Sequence, residues 1–233
     1  GAGVYLTDRT TVEKAEKMKV GTCLNPLHTA LAVYGCLLGY TSIAAEMGDA
    51  DLKALVEHIA AESLPVVEDP GILSPRAFID EVLHERFPNP AIPDTPQRIA
   101  ADTSQKLPVR YGGTLRRYAR QSEQALAGLE FAPLVFAGWC RYLLGVDDRG
   151  NAMPVSPDPM LPQLQAHLKG IEVGRPDSLA GQLRPILSNA ALFGVDLYAA
   201  GLGERTEEMF RDMLAGPGAV RATLHRNCAC KQP

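Results

Sequence analysis

Apolar residues recur at intervals of three and four along most of the chain, the spacing that lines one face of an α-helix. Leu52, Leu55, Val56 and Ile59 form one such stripe, and Met209, Phe210, Met213 and Leu214 form another. Several segments open with a capping side chain followed by proline, a pair favoured at helix entry. Asn25-Pro26 opens an apolar stretch that runs to Gly39, with Asn25 as the predicted N-cap. Ser74-Pro75 leads into RAFIDEVLHERF, and Thr95-Pro96 leads into QRIAADTSQK, which should stop before Pro108. Asp158-Pro159 is a fourth candidate entry. Thr10 and Glu13 form a capping box for a first helix that ends near Lys19. The segments 129–144 and 179–200 are expected to be the most deeply buried. Short apolar runs at Val4–Leu6 and Pro65–Val67 read as extended connectors, and no fixed internal period suggests a solenoid. The pattern predicts a mainly α chain of roughly nine to eleven helices. Pro154, Pro157, Pro159 and Pro162 mark a loop over 151–163. It is a possible seam within one helical unit spanning 1–233, too short to be a free linker.

The 233 residues are 46% hydrophobic, enough for a substantial core. The net charge is −4 with both signs mixed along the chain. That gives no electrostatic case for nucleic acid or an anionic membrane as partner. No apolar run approaches the roughly 20 residues of a membrane-spanning helix. Five cysteines, an odd number, read as reduced thiols in a cytoplasmic protein. Cys228 and Cys230, with His225 nearby, have the wrong spacing for a zinc knuckle and no second pair, so they read as thiols on a frayed tail.

The candidate chemistry lies between Lys19 and His28. His28 follows Asn25 by three residues and returns to the same side of a helix. A helix start offers free N–H groups and partial positive charge to an oxygen that becomes negative. An amide and an imidazole beside it add directional donors. Lys19 ends the preceding helix and could exchange a proton with an alcohol if apolar surroundings lowered its pKa. The same residues are also compatible with an ordinary helix start, a core histidine and a solvated lysine face. Further along, Arg98, Asp102 and Lys106 are spaced by four. They suit either a surface ion-pair ladder or, through Arg98 and Lys106, a grip on a polar or carboxylate-bearing substrate.

No GxGxxG and no GxxxxGK[ST] occurs, and the strand–helix alternation of a dinucleotide-binding half is missing. Neither a serine nucleophile elbow nor HExxH is present. The chain opens at Gly1 without an initiator methionine, as expected of a cut within a longer polypeptide.

The stretch EKMKVGTCLNPLHTALAVYGCLLGY (16–40) resembles the core signature of the mannitol dehydrogenase family of polyol-specific long-chain dehydrogenases. NPAIPDTPQRIAADTSQKLPVR (89–110) resembles that family's second signature, in matching order and spacing. The version here is most similar to the branch that interconverts D-mannonate and D-fructuronate. The resemblance implies a metal-independent oxidoreductase using NAD(H) or NADP(H) on a sugar acid or polyol. It also implies a mostly helical C-terminal domain, similar to that of 6-phosphogluconate dehydrogenase, preceded by a Rossmann domain that this chain lacks. Alone, such a chain is expected to be inactive. By resemblance Lys19 is the general acid/base, Asn25 polarises the carbonyl, and His28 binds or orients the substrate. Glu16 relays protons to the lysine, and Arg98 and Lys106 bind substrate. In the family pattern the lysine precedes the asparagine by five positions, whereas Lys19 precedes Asn25 by six. A bulge or loosened turn in 20–24 would let both keep their roles; Lys17 is the alternative, and the spacing Glu16-x-x-Lys19 favours Lys19. Mannitol or altronate remains open as substrate. So does a different class, a non-catalytic helical module that binds a sugar acid.

Overall fold

A computed structural model describes residues 6–229. Within them the regular elements are helices, with two isolated β-bridges and no sheet. Helix α1 (Arg9–Met18) starts behind Asp8, whose carboxylate accepts the Thr11 amide at 2.9 Å. The capping box expected at Thr10 is not used, because the acidic side chain of Asp8 already fills the capping position and suits the positive helix end. A π-helical turn (Lys19–Cys23) follows and runs almost without a break into α2 (Asn25–Leu38). Gly39 closes α2 at φ 82°, a conformation open to glycine. Every residue from Pro26 to Leu37 is buried, which makes α2 the central helix.

Around it come α3 (Ile43–Glu46), α4 (Ala50–Ser63) and α5 (Pro75–Glu81), the last continued by a second π turn (Val82–Arg86). Then follow α6 (Pro96–Ile99), α7 (Thr103–Arg110), α8 (Gly112–Gln121), α9 (Glu123–Ala127) and α10 (Phe131–Tyr142). The remainder is α11 (Leu161–His167), α12 (Arg184–Leu187), α13 (Ala190–Phe193), α14 (Gly203–Met213) and α15 (Ala219–Cys228). Ten of these have seven residues or more, within the expected number. The others are single turns, too short to leave a periodic trace in the sequence. Ser74 and Thr95 cap α5 and α6 as their sequence context predicts.

Three local expectations are corrected. Residues 96–107 are not one helix: the chain breaks after Ile99, and Asp102 takes a left-handed φ of 54°. The break is held from outside, since Asp158 accepts both the amide (2.8 Å) and hydroxyl (2.5 Å) of Ser104. Asp158 also accepts the Met160 amide at 2.9 Å, but Met160 holds the capping position of α11, which begins three residues after Asp158. Nor does Pro108 end the helix, which continues to Arg110.

In the core, α2 packs on α4 and α10, α10 packs on α14, and α15 packs on α4 and α14. The single buried cluster draws on residues from both sides of 151–163. The α2–α10 crossing is close, with Tyr34 donating its hydroxyl to the Leu134 carbonyl at 2.8 Å. Helix α10 is buried along its whole length. The 179–200 segment is buried only in part, through apolar side chains such as Leu183, Ile186, Leu187, Leu192, Phe193 and Leu197, its helices α12 and α13 being single turns. Pro65–Val67 is no extended connector throughout, since Leu64–Val66 forms a 3-10 turn. Val4 and Tyr5 lie outside the described residues, as does Cys230. Cys228 is not on a frayed tail; it ends α15 in the core, where burial pushes its thiol up to about 12. Cys23, Cys36, Cys140 and Cys228 are free. Among the described residues no cluster of three His, Cys, Asp or Glu could hold a metal ion, and no helix is long and apolar enough to cross a membrane.

Candidate functional site

The start of α2 is built differently from a capped helix. The Leu24 amide donates to the Lys19 carbonyl at 3.0 Å, and the His28 amide donates to the Leu24 carbonyl at 3.0 Å. The π turn thus supplies the acceptors for the first amides, and Leu24 occupies the capping position. Asn25 is therefore a residue of the first turn and not the N-cap. Its half-buried side-chain amide makes no hydrogen bond with a described residue. The backbone around it is gripped instead: Thr29 Oγ1 donates to the Asn25 carbonyl (2.8 Å), and Arg110 Nη1 donates to Thr29 Oγ1 (2.6 Å). Tyr111 donates its hydroxyl to the Pro26 carbonyl (2.7 Å). Residues from α7 and the turn after it therefore fix the end of α2 that carries Asn25.

His28 lies one turn on, with its ring centroid 5.2 Å from that of Phe87. Its Nε2 is 3.4 Å from Asp94 Oδ2. Burial pushes the imidazole down to about 4; Asp94 opposes the shift, and the Arg110, Arg86 and Arg98 cations reinforce it. The ring is neutral at pH 7, so one nitrogen donates and the other accepts.

Lys19 is half-buried, its Nζ 5.3 Å from the centre of the Phe78 ring. Glu16 is exposed and forms no ion pair with Lys19. It and Lys17 instead line a cleft of about 660 Å³ with Arg116, Arg117 and Arg120 of α8. The two candidate lysines thus face different surroundings. Arg98 is exposed and paired with Asp94. Lys106 donates to the carbonyls of Ile99, at 3.0 Å, and Ala101, tying α6 to α7. Burial lowers its pKa, the nearby Arg110 cation adding to the effect. The ladder Arg98–Asp102–Lys106 does not form, because the break at Asp102 removes the common helix face.

The structure therefore joins His28 and Arg98 through Asp94, leaves Asn25 one helix turn before His28, and turns Lys106 toward the backbone. Asp94, Phe87 and Arg110 are additional members of the site. Asp94 four residues before Arg98 is an ion-pair spacing legible in the sequence. Arg110 meets Thr29 across 81 positions, and no local signal marks that contact.

Residues 11–208 match the family model of the mannitol dehydrogenase C-terminal domain. The chain belongs to this family. It is 57% identical to the D-mannonate oxidoreductase of Thermotoga maritima, over 95% of this chain and 41% of that protein. The mannitol 2-dehydrogenase of Emericella nidulans is 36% identical over 82% of this chain and 35% of its own length. Among solved structures, Pseudomonas fluorescens mannitol 2-dehydrogenase in complex with NAD and D-mannitol matches with a TM-score of 0.80. That match has 28% identity and covers all of this chain and 43% of that one. The chain thus spans less than half the length of these relatives.

Proposed function

We propose that this chain is the substrate-holding, proton-handling part of an oxidoreductase that interconverts D-mannonate and D-fructuronate with NAD(H) or NADP(H). The observation that carries the reading is the π turn at Lys19–Cys23. A π turn takes one extra residue into a helix and then returns the chain to its former phase. Lys19 and Asn25, six apart, are thereby spaced like a lysine and an asparagine five apart in a regular helix. That is the family's spacing, and it favours Lys19 over Lys17. The 57% identity to a D-mannonate oxidoreductase supports the substrate.

In the reductive direction the Lys19 ammonium gives its proton to the C2 carbonyl oxygen. In the oxidative direction its amine takes the proton of the C2 hydroxyl. The free Asn25 amide donates to that oxygen and stabilises charge on it. Neutral His28 hydrogen-bonds a neighbouring hydroxyl, and exposed Glu16 exchanges protons between solvent and the lysine. Arg98 holds the substrate carboxylate; Lys106 joins it after releasing the Ile99 and Ala101 carbonyls. A bound nicotinamide dinucleotide supplies or accepts the hydride at C2. The described residues contain no glycine-rich strand–turn–helix to cradle it, so we assign its binding to a part of the protein outside this chain, which alone is inactive. We place the reaction in the cytoplasm, in keeping with the free thiols. A mannitol-type substrate is the second reading, supported by the match to the mannitol 2-dehydrogenase complex.

The test is NADH oxidation by the longer protein, dinucleotide-binding part included, with D-fructuronate, D-tagaturonate and D-fructose. Fructuronate should be preferred. Lys19→Ala should lower kcat by about two to four orders of magnitude, and Lys17→Ala should leave it within a few-fold. Chelation with EDTA should change nothing. A preference for fructose would move the substrate and keep the mechanism. Full activity in Lys19→Ala would refute the assignment, and no turnover of any ketose would favour a binding module.

A further inference from the structure

Two site residues from separate stretches of sequence meet on a third. His28 Nε2 lies 3.4 Å from one carboxylate oxygen of Asp94, and Arg98 holds the other. The His28 residue is 7% exposed and its Nε2 makes no hydrogen bond, although it is buried. A buried polar atom left unpaired is uncommon and costly. The Asp94 side chain is 14% exposed and that of Arg98 is 62% exposed. The carboxylate therefore stands at the boundary between the core and the opening of the site.

Its position is set by backbone and not by Arg98. The Ile43 amide donates to the Asp94 carbonyl at 3.0 Å, and the Asp94 amide donates to the Ile92 carbonyl at 2.8 Å. Thr95 accepts the Arg98 amide at 3.3 Å, and Gln97 Nε2 donates to the Tyr40 carbonyl at 3.0 Å. The loop entering α6 is thus moored to the corner between α2 and α3.

We propose that Asp94 is a positioning residue of the site, accepting the Nε2–H of His28 on one oxygen and the Arg98 guanidinium on the other. With the proton fixed on Nε2, Nδ1 is the ring's acceptor and takes a substrate hydroxyl. Arg98 has five N–H donors in a planar fork. One nitrogen is held by Asp94, and the rest are available for a carboxylate. Ring and cation are then set at a fixed separation, matched to an acid that carries a hydroxyl and a carboxylate together. On this proposal the 3.4 Å approach is the contact that closes into the His28–Asp94 hydrogen bond in the reacting complex. The inference rests on the reading above for what the two groups do to substrate, but not for how they are held.

The experiment is imidazole ¹⁵N NMR of His28 in this chain, for the native protein, Asp94→Asn and Asp94→Ala, beside kinetics of the same variants in the longer protein. Three cations face the ring: Arg110 from α7, Arg86 from the second π turn and Arg98 from α6. Asp94 is the counter-charge. Native His28 should show the Nε2–H tautomer. Asp94→Ala should let the Nδ1–H form appear and move the titration to lower pH. Asp94→Asn keeps an acceptor and the shape, so it should keep the tautomer while losing the charge effect, and it decides the matter if the alanine variant fails to fold. In the longer protein Asp94→Ala should cut kcat about a hundredfold, the scale of a misplaced reacting group. It should raise KM for fructuronate more than for fructose, which has no carboxylate. An unchanged tautomer and titration in Asp94→Ala overturn the proposal. So does a moved tautomer with unchanged kcat in an enzyme that Lys19→Ala inactivates. Should no ketose be turned over, the functional reading fails and the imidazole spectra alone decide how His28 is held.

Discussion

Arg141 is fully buried, and its burial is made tolerable one hydrogen bond at a time. Nε donates to the Met213 carbonyl (3.2 Å), Nη1 to that of Val146 (2.6 Å) and Nη2 to that of Asp147 (3.3 Å). One planar fork thus closes three carbonyls at the end of α14 and in the loop after α10. Burial lowers its pKa to about 10, with Asp148 and Asp147 opposing, so the charge persists at neutral pH. Arg141→Met keeps the volume and removes every donor. Three carbonyls would lose their donor and the buried Asp148 a nearby counter-charge, and the expected loss is about 3–5 kcal/mol in denaturant unfolding. Arg141→Lys should fare little better, because an ammonium cannot reproduce the fork. At this scale the sequence said little. Arg141 reads there as a charge interrupting an apolar run; two of its acceptors lie five and six residues on, in a loop without a regular pattern, and the third, Met213, is 72 positions away.

The elements divide into those whose signals are local and those set from a distance. Ser74, Thr95 and Gly39 sit at the helix ends their chemistry suits, and each was legible because a cap acts within four residues. The α6–α7 break was not, because Asp102 is held left-handed in a region organised by Asp158, 54 positions beyond Ser104. The first π turn lies between these cases. One surplus residue between Lys19 and Asn25 foretold a loosened turn, though not its form. Deleting Gly21 should convert that turn to α-helix and leave Lys19 in phase with Asn25, so the melting temperature should hold. Deleting Ala54 from the middle of α4 would rotate half that helix out of the core and should abolish cooperative melting. The α2–α10 crossing makes a sharper demand. A Cβ placed on Gly138 would lie 2.7 Å from Tyr34 Cζ, with Cε2 and the hydroxyl oxygen each at 2.9 Å. Tyr34 is fully buried and cannot swing aside. Gly138→Ala should therefore cost about 1–3 kcal/mol, the scale of overpacking, measurable by thermal unfolding.

Across the whole molecule two buried groups pull stability in opposite directions with pH. Glu46 has no exposed surface and neither carboxylate oxygen has a partner. It lies so near Gly35 that a Cβ there would collide with Oε1. Burial, with Asp49 adding to it, raises its pKa from 4.5 to about 9. Between those values the folded chain keeps a proton that the unfolded chain has lost. Its contribution is complete below pH 4.5 and is lost as pH rises toward 9, by about 1.4 kcal/mol per unit. His28 is the reverse case, its pKa lowered from 6.5 to about 4. Between those values the unfolded chain binds the extra proton, so stability rises with pH by a similar slope. From 4.5 to 6.5 the two slopes cancel, and above 6.5 only that of Glu46 remains. Unfolding free energy should thus be nearly level through mildly acid pH and fall from 6.5 toward 9. Glu46→Gln mimics the neutral carboxyl and cannot ionise, so it should abolish the alkaline fall and leave a rise from pH 4 to 6.5. Urea unfolding of both proteins across that range decides it: a parallel alkaline fall in Glu46→Gln would mean that the carboxyl is already ionised in the core, held by a partner that only the native environment supplies.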